Sequence, residues 1–405
     1  RTTGAGQCDA GIRKHYLPAG DGSRMALETP PLRDRHAEAG AKFTEFGGWD
    51  MPVEFDGIRV EHEAVRSSAG IFDVSHMSEI EVSGPDAERL MQRLTSNDVT
   101  ALDAADAQSA TMTDAEGAII DDTLVYRLPE TEDGAGGSDD GTGDSDDASF
   151  LFVPNAGHAE QMHDRWTEHR DEWDLDATVY DATYDYGMFA VQGPEAVGHV
   201  DDAADVAVAD LSRFSATWAS VAGVECLVAR TGYTGEDGVE LVVPWNRAPE
   251  VWAAFAEERD VQRCGLGSRD TLRLEAGLLL SGQDFDHDAN PRNPYEAGIG
   301  FTVKLDTEFV GRDALEAAKA EGVDEKLVGF TLVDRGVPRH GYDVTDTDDL
   351  VVGEVTSGTM SPTLDEPIGL AYVSTEYTDP GTTLRVVVRG DSKQARVESL
   401  PFYER

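Results

Sequence analysis

Basic residues are what this chain has least of for its size. Across 405 residues, 33 lysines and arginines stand against 79 aspartates and glutamates, a formal net charge of −46. A surface so short of cations argues against binding to nucleic-acid backbones or anionic membranes. It points instead to a salt-rich cytoplasm, where counterions screen self-repulsion and a carboxylate coat stays hydrated. It also makes any isolated Asp or Glu weak evidence of a site. Cysteine is scarce as well: Cys8, Cys226 and Cys264 are an odd number at wide spacing. No disulfide framework, CxxC pair or zinc cluster follows from them, so no metal is expected. No apolar run reaches the roughly 18 residues of a membrane helix, and no signal-peptide core is present, which favours a cytoplasmic, reduced protein. GxGxxG at a strand–helix junction, the P-loop, HExxH and GxSxG are all missing. Dinucleotide redox, nucleotide hydrolysis, zincin and α/β-hydrolase chemistry lose their support with them.

The remaining composition is that of a globular protein, 40% hydrophobic and long enough for two or three domains. Residues 1–24 carry Arg1, Arg13, Lys14 and Arg24 without hydrophobic periodicity, and read as a disordered or non-native extension. From Thr29 the pattern becomes organised. A short helix runs to about Gly40, an extended aromatic stretch spans Phe43 to Phe55, and a helix fits Ile58 to Ser68. After Pro85, Ala87, Leu90, Met91 and Leu94 make one apolar helical face. Residues 130–149 are almost entirely acidic or small and polar, an acidic loop joining two strands of a hairpin. Further on come a helix around Gly157–Trp173, strands near Ala177–Tyr180 and Gly187–Gln192, and a hairpin from Val224 to Val243. In the helix after Gly265, Arg269 and Arg273 share a face and put two guanidinium groups in reach of one anion; Arg273 alternatively pairs with Asp270 or Glu275. Past Gly322, short β runs separated by Gly, Pro and Asp indicate a small barrel or sandwich as a separate domain over 322–405. Gly282-Gln283-Asp284 reads as a turn, and His76 as a hydrogen-bonded core histidine.

Chemistry is most visible in Gly117-Ala118-Ile119-Ile120-Asp121-Asp122-Thr123-Leu124-Val125-Tyr126. Two carboxylates interrupt what is otherwise a buried strand, and an unpartnered carboxylate is costly to bury. Strand neighbours point to opposite faces, so one aspartate can meet solvent or a backbone donor while the other faces an interior pocket. Alone, the pair fits equally well as a hairpin cap or as surface charge.

Five stretches carry a resemblance: Phe72-Asp73-Val74-Ser75-His76-Met77, Gly117 to Asp122, Arg230-Thr231-Gly232-Tyr233-Thr234-Gly235-Glu236-Asp237-Gly238-Val239-Glu240, Gly265 to Ala276, and Thr356 to Leu364. In this order they resemble the signatures of the aminomethyltransferase family, the T-proteins of the glycine cleavage system, from about Pro31 to Tyr403. The resemblance implies an α+β fold: two interleaved N-terminal folate-binding subdomains (29–305) with antiparallel sheets around a central channel, plus a C-terminal β-barrel. It implies transfer of a methylene carbon from the aminomethyl-dihydrolipoyl arm of the H-protein to tetrahydrofolate, giving 5,10-methylenetetrahydrofolate and ammonia. By the family pattern Asp122 is catalytic. Glu240 binds the pterin edge, Tyr233 and Tyr126 pack on the folate or channel wall, and Asn155 and Met77 join the folate set. Arg269 reaches the p-aminobenzoyl-glutamate end, and Tyr403 closes the channel. Ser109 stands where relatives carry Tyr, Ala118 replaces a Gly, and Pro154 precedes Asn155 in place of a β-branched residue.

Two other readings compete. A sarcosine or dimethylglycine demethylase-like folate domain would come with a flavin domain, for which no dinucleotide fingerprint exists here. A folate-binding accessory protein of the iron–sulfur assembly type would carry a cysteine motif where this chain has Asn290-Pro291-Arg292-Asn293-Pro294-Tyr295-Glu296. If the H-protein is equally acidic, attraction between net charges cannot steer docking. Transfer from H-protein is therefore expected to speed up as salt is raised from low concentration. Steady-state rates that fall monotonically with salt would sink that expectation.

Overall fold

The structure, a computed structural model, describes residues 26–129 and 148–405. The leader and most of the acidic loop named above lie outside the described residues. Three sheets and one hairpin organise the rest. Six strands form the first sheet in the order Ala216–Val221, Val224–Ala229, Gly238–Pro244, Tyr186–Gln192, Gly70–Asp73, Gln262–Cys264. All its pairings are antiparallel except the last, where Gln262–Cys264 runs parallel to Gly70–Asp73. Five antiparallel strands form the second, in the order Ala107–Thr113, Ile119–Arg127, Phe150–Phe152, Ile80–Ser83, Thr178–Asp181. The strands flanking the acidic loop do pair, Val125 opposite Phe152 and Arg127 opposite Phe150. A closed six-strand barrel between Glu325 and Glu398 completes the fold. No helix among the described residues is long and apolar enough to cross a membrane.

Each of the two sheets buries both faces. Outside the first, Val239, Leu241 and Val243 pack with Trp252 and Phe255 of the helix Ala248–Ala256. Outside the second, Leu90, Met91 and Leu94 of the helix Ala87–Leu94 meet Trp166 of Ala159–Glu172, as the apolar stripe predicts. The inner faces share a third core containing Phe72, Tyr126, Leu151, Met188, Leu227, Ala229 and Val242. The period of two along a strand then fixes which residues look inward. Asp122, Leu124 and Tyr126 share one side of Ile119–Arg127, and Glu240 and Val242 share one side of Gly238–Pro244.

Several elements escape the sequence reading. Gln262–Cys264 and Asp343–Thr345 are three residues each, too short for any periodicity. The helix Arg312–Glu321 buries only Leu315, so it has no apolar stripe to detect. Arg273 takes the structural ion pair with Asp270 expected as the alternative to a shared anion site. It is buried and pairs with Asp270 and Asp284, both at 2.7 Å, and donates to Ser357 of the barrel at 2.9 Å. Glu275 is not its partner. That carboxylate takes Arg66 Nη2 at 2.7 Å, lies 3.3 Å from His62 Nε2, and accepts from Ser361 and Thr363 of the barrel. Asp284, read as part of a plain turn, is fully buried and accepts from Thr356 and Ser357 as well.

Burial alone would raise the Glu275 carboxyl, but the hydrogen bonds from His62, Ser361 and Arg66 win and hold it at about 2. A depressed carboxyl stabilises the fold above its ordinary range of about 4.5, and that stability is lost as pH falls through about 2. Glu275→Leu strands the buried groups of Arg66, His62 and Ser361 and should cost about 3–5 kcal/mol in denaturant unfolding. It should also flatten the acid limb between those two pH values; an unaltered acid limb would count against the pairing.

Candidate functional site

The two adjacent aspartates have opposite environments. Asp121 is completely buried. Its Oδ1 accepts from the Asp122 backbone N–H at 3.0 Å and from Asn155 Nδ2 at 2.7 Å, and its Oδ2 from the Asn155 N–H at 3.0 Å. Asp122, one residue on, is half-buried on the inward face. Asn155 Nδ2 also lies 2.8 Å from its Oδ1 and 2.8 Å from its carbonyl oxygen. One amide with two hydrogens therefore serves three acceptors and ties the two carboxylates together. Asn155 is brought there by Thr123, whose hydroxyl donates to the Val153 carbonyl at 2.7 Å and accepts the Val153 N–H at 3.0 Å. The Asp122 carboxyl is raised to about 7. Burial is the main cause and the charge of Asp121 the next, against the Asn155 hydrogen bond and the positive charge of His158.

Across the inner core stands Glu240, buried and raised above the usual carboxylate range by desolvation, with Thr231 and Arg269 pulling the other way. Tyr126 spans the gap, its hydroxyl 3.3 Å from Thr231 Oγ1. Burial pushes this phenol up, so it stays protonated. Tyr233 lies edge-on to Phe72 with centroids 5.8 Å apart, and the Arg269 guanidinium sits 4.7 Å over its ring. The turn carrying Tyr233 closes on Gln192. A Cβ at Gly232 or Gly238 would come within 2.1 or 2.3 Å of the Gln192 amide, so a side chain at either place would displace that buried amide. Thr234 Oγ1 donates to that amide's oxygen at 3.0 Å, and Arg230 pairs with Asp237 at 2.9 Å. Most of this turn thus builds the shape that presents Tyr233 and Glu240.

A small pocket opens beside these groups, lined by Phe46, Gly47, Met77, Asn155, Ala156, His158, Arg269, Leu280 and Ser281. Met77, Asn155 and Arg269 therefore meet around one cavity; Asp122, Tyr126, Tyr233 and Glu240 do not line it, and the two tyrosines join it through the inner core that Met77 shares and through Arg269 over Tyr233. Tyr403 stands apart. Its ring stacks on the Arg66 guanidinium at 4.0 Å and its N–H donates to the Glu275 carbonyl, behind the Tyr233 turn. Ser109 pairs in register with Leu124. His76 corrects the expectation of a hydrogen-bonded core histidine: it is fully buried, edge-on to Phe46, and neither ring nitrogen has a partner. Desolvation first, then the Arg269 charge, lowers it to about 3, so the ring is neutral. The Tyr233 hydroxyl and Arg269 Nε are likewise buried without protein partners. Unpartnered polar atoms from separate elements, gathered beside one cavity, suit a ligand that is part aromatic and part polar, as a folate is. Sequence reasoning missed His158 and Thr231. Both are single polar residues whose place is set by pairing across sheets.

Residues 32–307 match the model of the GCVT N-terminal domain, and residues 325–404 that of the glycine cleavage T-protein C-terminal barrel domain. The chain belongs to the glycine cleavage T-protein family. Over 380 residues it is 60% identical to a probable aminomethyltransferase of Natronomonas pharaonis, covering 94% of this chain and 100% of that one. It is 41% identical to the aminomethyltransferase of Listeria monocytogenes serotype 4a, over 93% of this chain and 98% of that protein. The crystal structure of glycine cleavage system aminomethyltransferase T from Bartonella henselae superposes with a TM-score of 0.83 at 30% identity, over 93% of this chain and 98% of the other. The activity is accordingly that of a tetrahydrofolate-dependent aminomethyltransferase, and the demethylase-like and iron–sulfur readings give way to it. Relatives from Natronomonas, Halobacterium and Haloarcula agree with the salt-adapted source inferred from net charge.

Because the Asn155 side chain holds Asp122 down, Asn155→Ala should move the Asp122 titration upward from about 7. Carbon-13 NMR of the aspartate carboxyls can follow it; a midpoint that stays or falls would contradict the bond.

Proposed function

We propose that Asp122 is the proton-moving group of the transfer, and that Glu240, Tyr233, Tyr126, Asn155, Met77 and Arg269 hold the folate against it, with Tyr403 backing the turn. The donor is the aminomethyl-dihydrolipoyl arm of the H-protein, the acceptor is tetrahydrofolate, and the setting is cytoplasmic. The folate domain in this reading is 29–305 and the barrel 322–405.

The chemistry explains why one carboxyl near neutrality is useful. The migrating carbon begins bonded to sulfur and to an amine nitrogen, and ends bonded to two nitrogens of the folate. Two carbon bonds break and two form. The two folate N–H protons must leave, one reaching the sulfur and one the departing amine, which goes as ammonia. No electrons are gained or lost. A group that takes a proton from a ring nitrogen and returns one to a leaving group works best when its two forms are nearly equal in energy. Asp122, raised to about 7 on the inward face, meets that condition, and this is the observation that carries the reading. As a carboxylate it also stabilises the iminium cation that forms when the thiolate departs. Glu240 offers acceptors to the donor edge of a pterin. Arg269 offers a guanidinium fork to a carboxylate at the far end.

The test is ammonia release from aminomethylated H-protein, with and without tetrahydrofolate, for the wild type and Asp122→Asn. The variant should lose about 10²–10⁴ in folate-dependent turnover. Unchanged turnover would remove Asp122 from the mechanism.

A further inference from the structure

We infer that His158 is a positioning residue for this transfer, acting on Asp122 through the buried Asp121 carboxylate and the Asn155 amide. Four residues from two segments form one chain of contacts. His158 lines the pocket beside Asn155, three residues before it in sequence. Its Nδ1 stands 3.2 Å from Asp121 Oδ2, an ion-pair distance off the direction of a hydrogen bond. Asp121 Oδ1 takes the Asn155 amide at 2.7 Å, and the same amide reaches Asp122 Oδ1 at 2.8 Å. Asp121 is completely buried and the His158 side chain is 28% exposed, so the imidazole is where this chain of contacts reaches the pocket.

The charges around the imidazole favour a cation. Asp121 and Asp122 face it from the strand Ile119–Arg127, and Asp286 from the loop that crosses the pocket. Opposing them are its own partial burial, Arg269 on the other side of the same cavity, and the amide dipoles of the helix Ala159–Glu172, which His158 precedes directly. The acids prevail and the imidazolium is held to higher pH than usual. Backbone geometry keeps it there. Gly157 turns with φ +83, and a Cβ on it would press to 3.3 Å on the Gly47 carbonyl, so the chain lays Asn155 and His158 along the same wall. In this arrangement Asp121 destabilises the ionised form of Asp122 and the imidazolium restores it.

The inference rests on the reading of Asp122 as the proton-moving group, and the experiment separates the two. The pH profile of folate-dependent ammonia release is measured for wild type, His158→Asn and His158→Lys, and for His158→Asn combined with Asp122→Asn. Asparagine keeps a donor near the Nδ1 position without charge; lysine restores the charge. In His158→Asn the midpoint of the limb that rises with pH should move up by about one unit. Below it the rate should then fall roughly tenfold, with KM for tetrahydrofolate unchanged. His158→Lys should bring the midpoint back to or below the wild-type value. In the Asp122→Asn background the His158 change should shift nothing. The Asp122 carboxyl followed by carbon-13 NMR reports the same midpoint without turnover, and melting curves establish that each variant is folded. A wild-type midpoint in folded His158→Asn, with Asp122→Asn crippled, overturns the role of His158 alone. Full turnover by Asp122→Asn overturns the reading beneath it.

Discussion

A carboxylate sealed from water sets the terms for this site. Asp121 has no exposed surface, and an ionised group there survives only if its oxygens are occupied. The chain occupies them with two backbone N–H groups and one amide, all supplied by the next residue and by Asn155. Those bonds hold the Phe150–Phe152 side of the sheet to the strand of the aspartates. The same fixed negative charge raises the neighbouring carboxyl, which faces the other way. Structure and reactivity thus come from one interaction: the bonds that make Asp121 tolerable in the core also define where Asp122 points and how readily it ionises.

The larger architecture follows the same economy of charge. Arg273 with Asp270 and Asp284, and Glu275 with Arg66 and His62, are successive ion-pair centres on or beside the helix Leu266–Glu275. Each takes a hydroxyl from the barrel, Ser357 in one case and Ser361 and Thr363 in the other. Arg269, on the same helix, turns to the pocket instead. One helix therefore fastens the barrel on one side and lends a cation to the cavity on the other. The buried pairs cost desolvation that a hydrophobic contact would avoid, but they fix the barrel in a single orientation.

Much of the architecture was legible in the sequence, because long strands and amphipathic helices leave a period behind them. The apolar stripe from Ala87 to Leu94, the hairpin from Val224 to Val243 and the barrel strands other than Asp343–Thr345 are all of that kind. Elements held by neighbours rather than by their own pattern were not legible, such as Gln262–Cys264 and Arg312–Glu321. At the site, strand alternation separated Asp121 from Asp122, but only the resemblance singled out Asp122. Periodicity had no means of knowing that Asn155 reaches back across the sheet to tie the two aspartates together. Arg273 takes the Asp270 partner that was one of its expected alternatives, but helical spacing says nothing about Asp284, which arrives from a later loop. His76 did mislead: a buried histidine usually has a partner, and this one has none within the protein.

The inner cavity is walled by strands drawn from distant parts of the chain. Gly70–Asp73 lies between Tyr186–Gln192 and Gln262–Cys264 in one sheet, while everything between Ile80 and Asp181 in the other sheet is threaded through that interval. During synthesis the sheet between Ile80 and Asp181 holds all its own strands, but the other wall lacks an edge strand until the ribosome has passed Cys264, and the barrel hydroxyls that satisfy Glu275 arrive later still. In the nascent chain Gly70–Asp73 therefore waits without its sheet partners while the whole second sheet is made, and an unpaired β edge is prone to wrong association. For such a chain the excess of carboxylates has a second value: it keeps unfinished molecules apart before there is any fold to protect them.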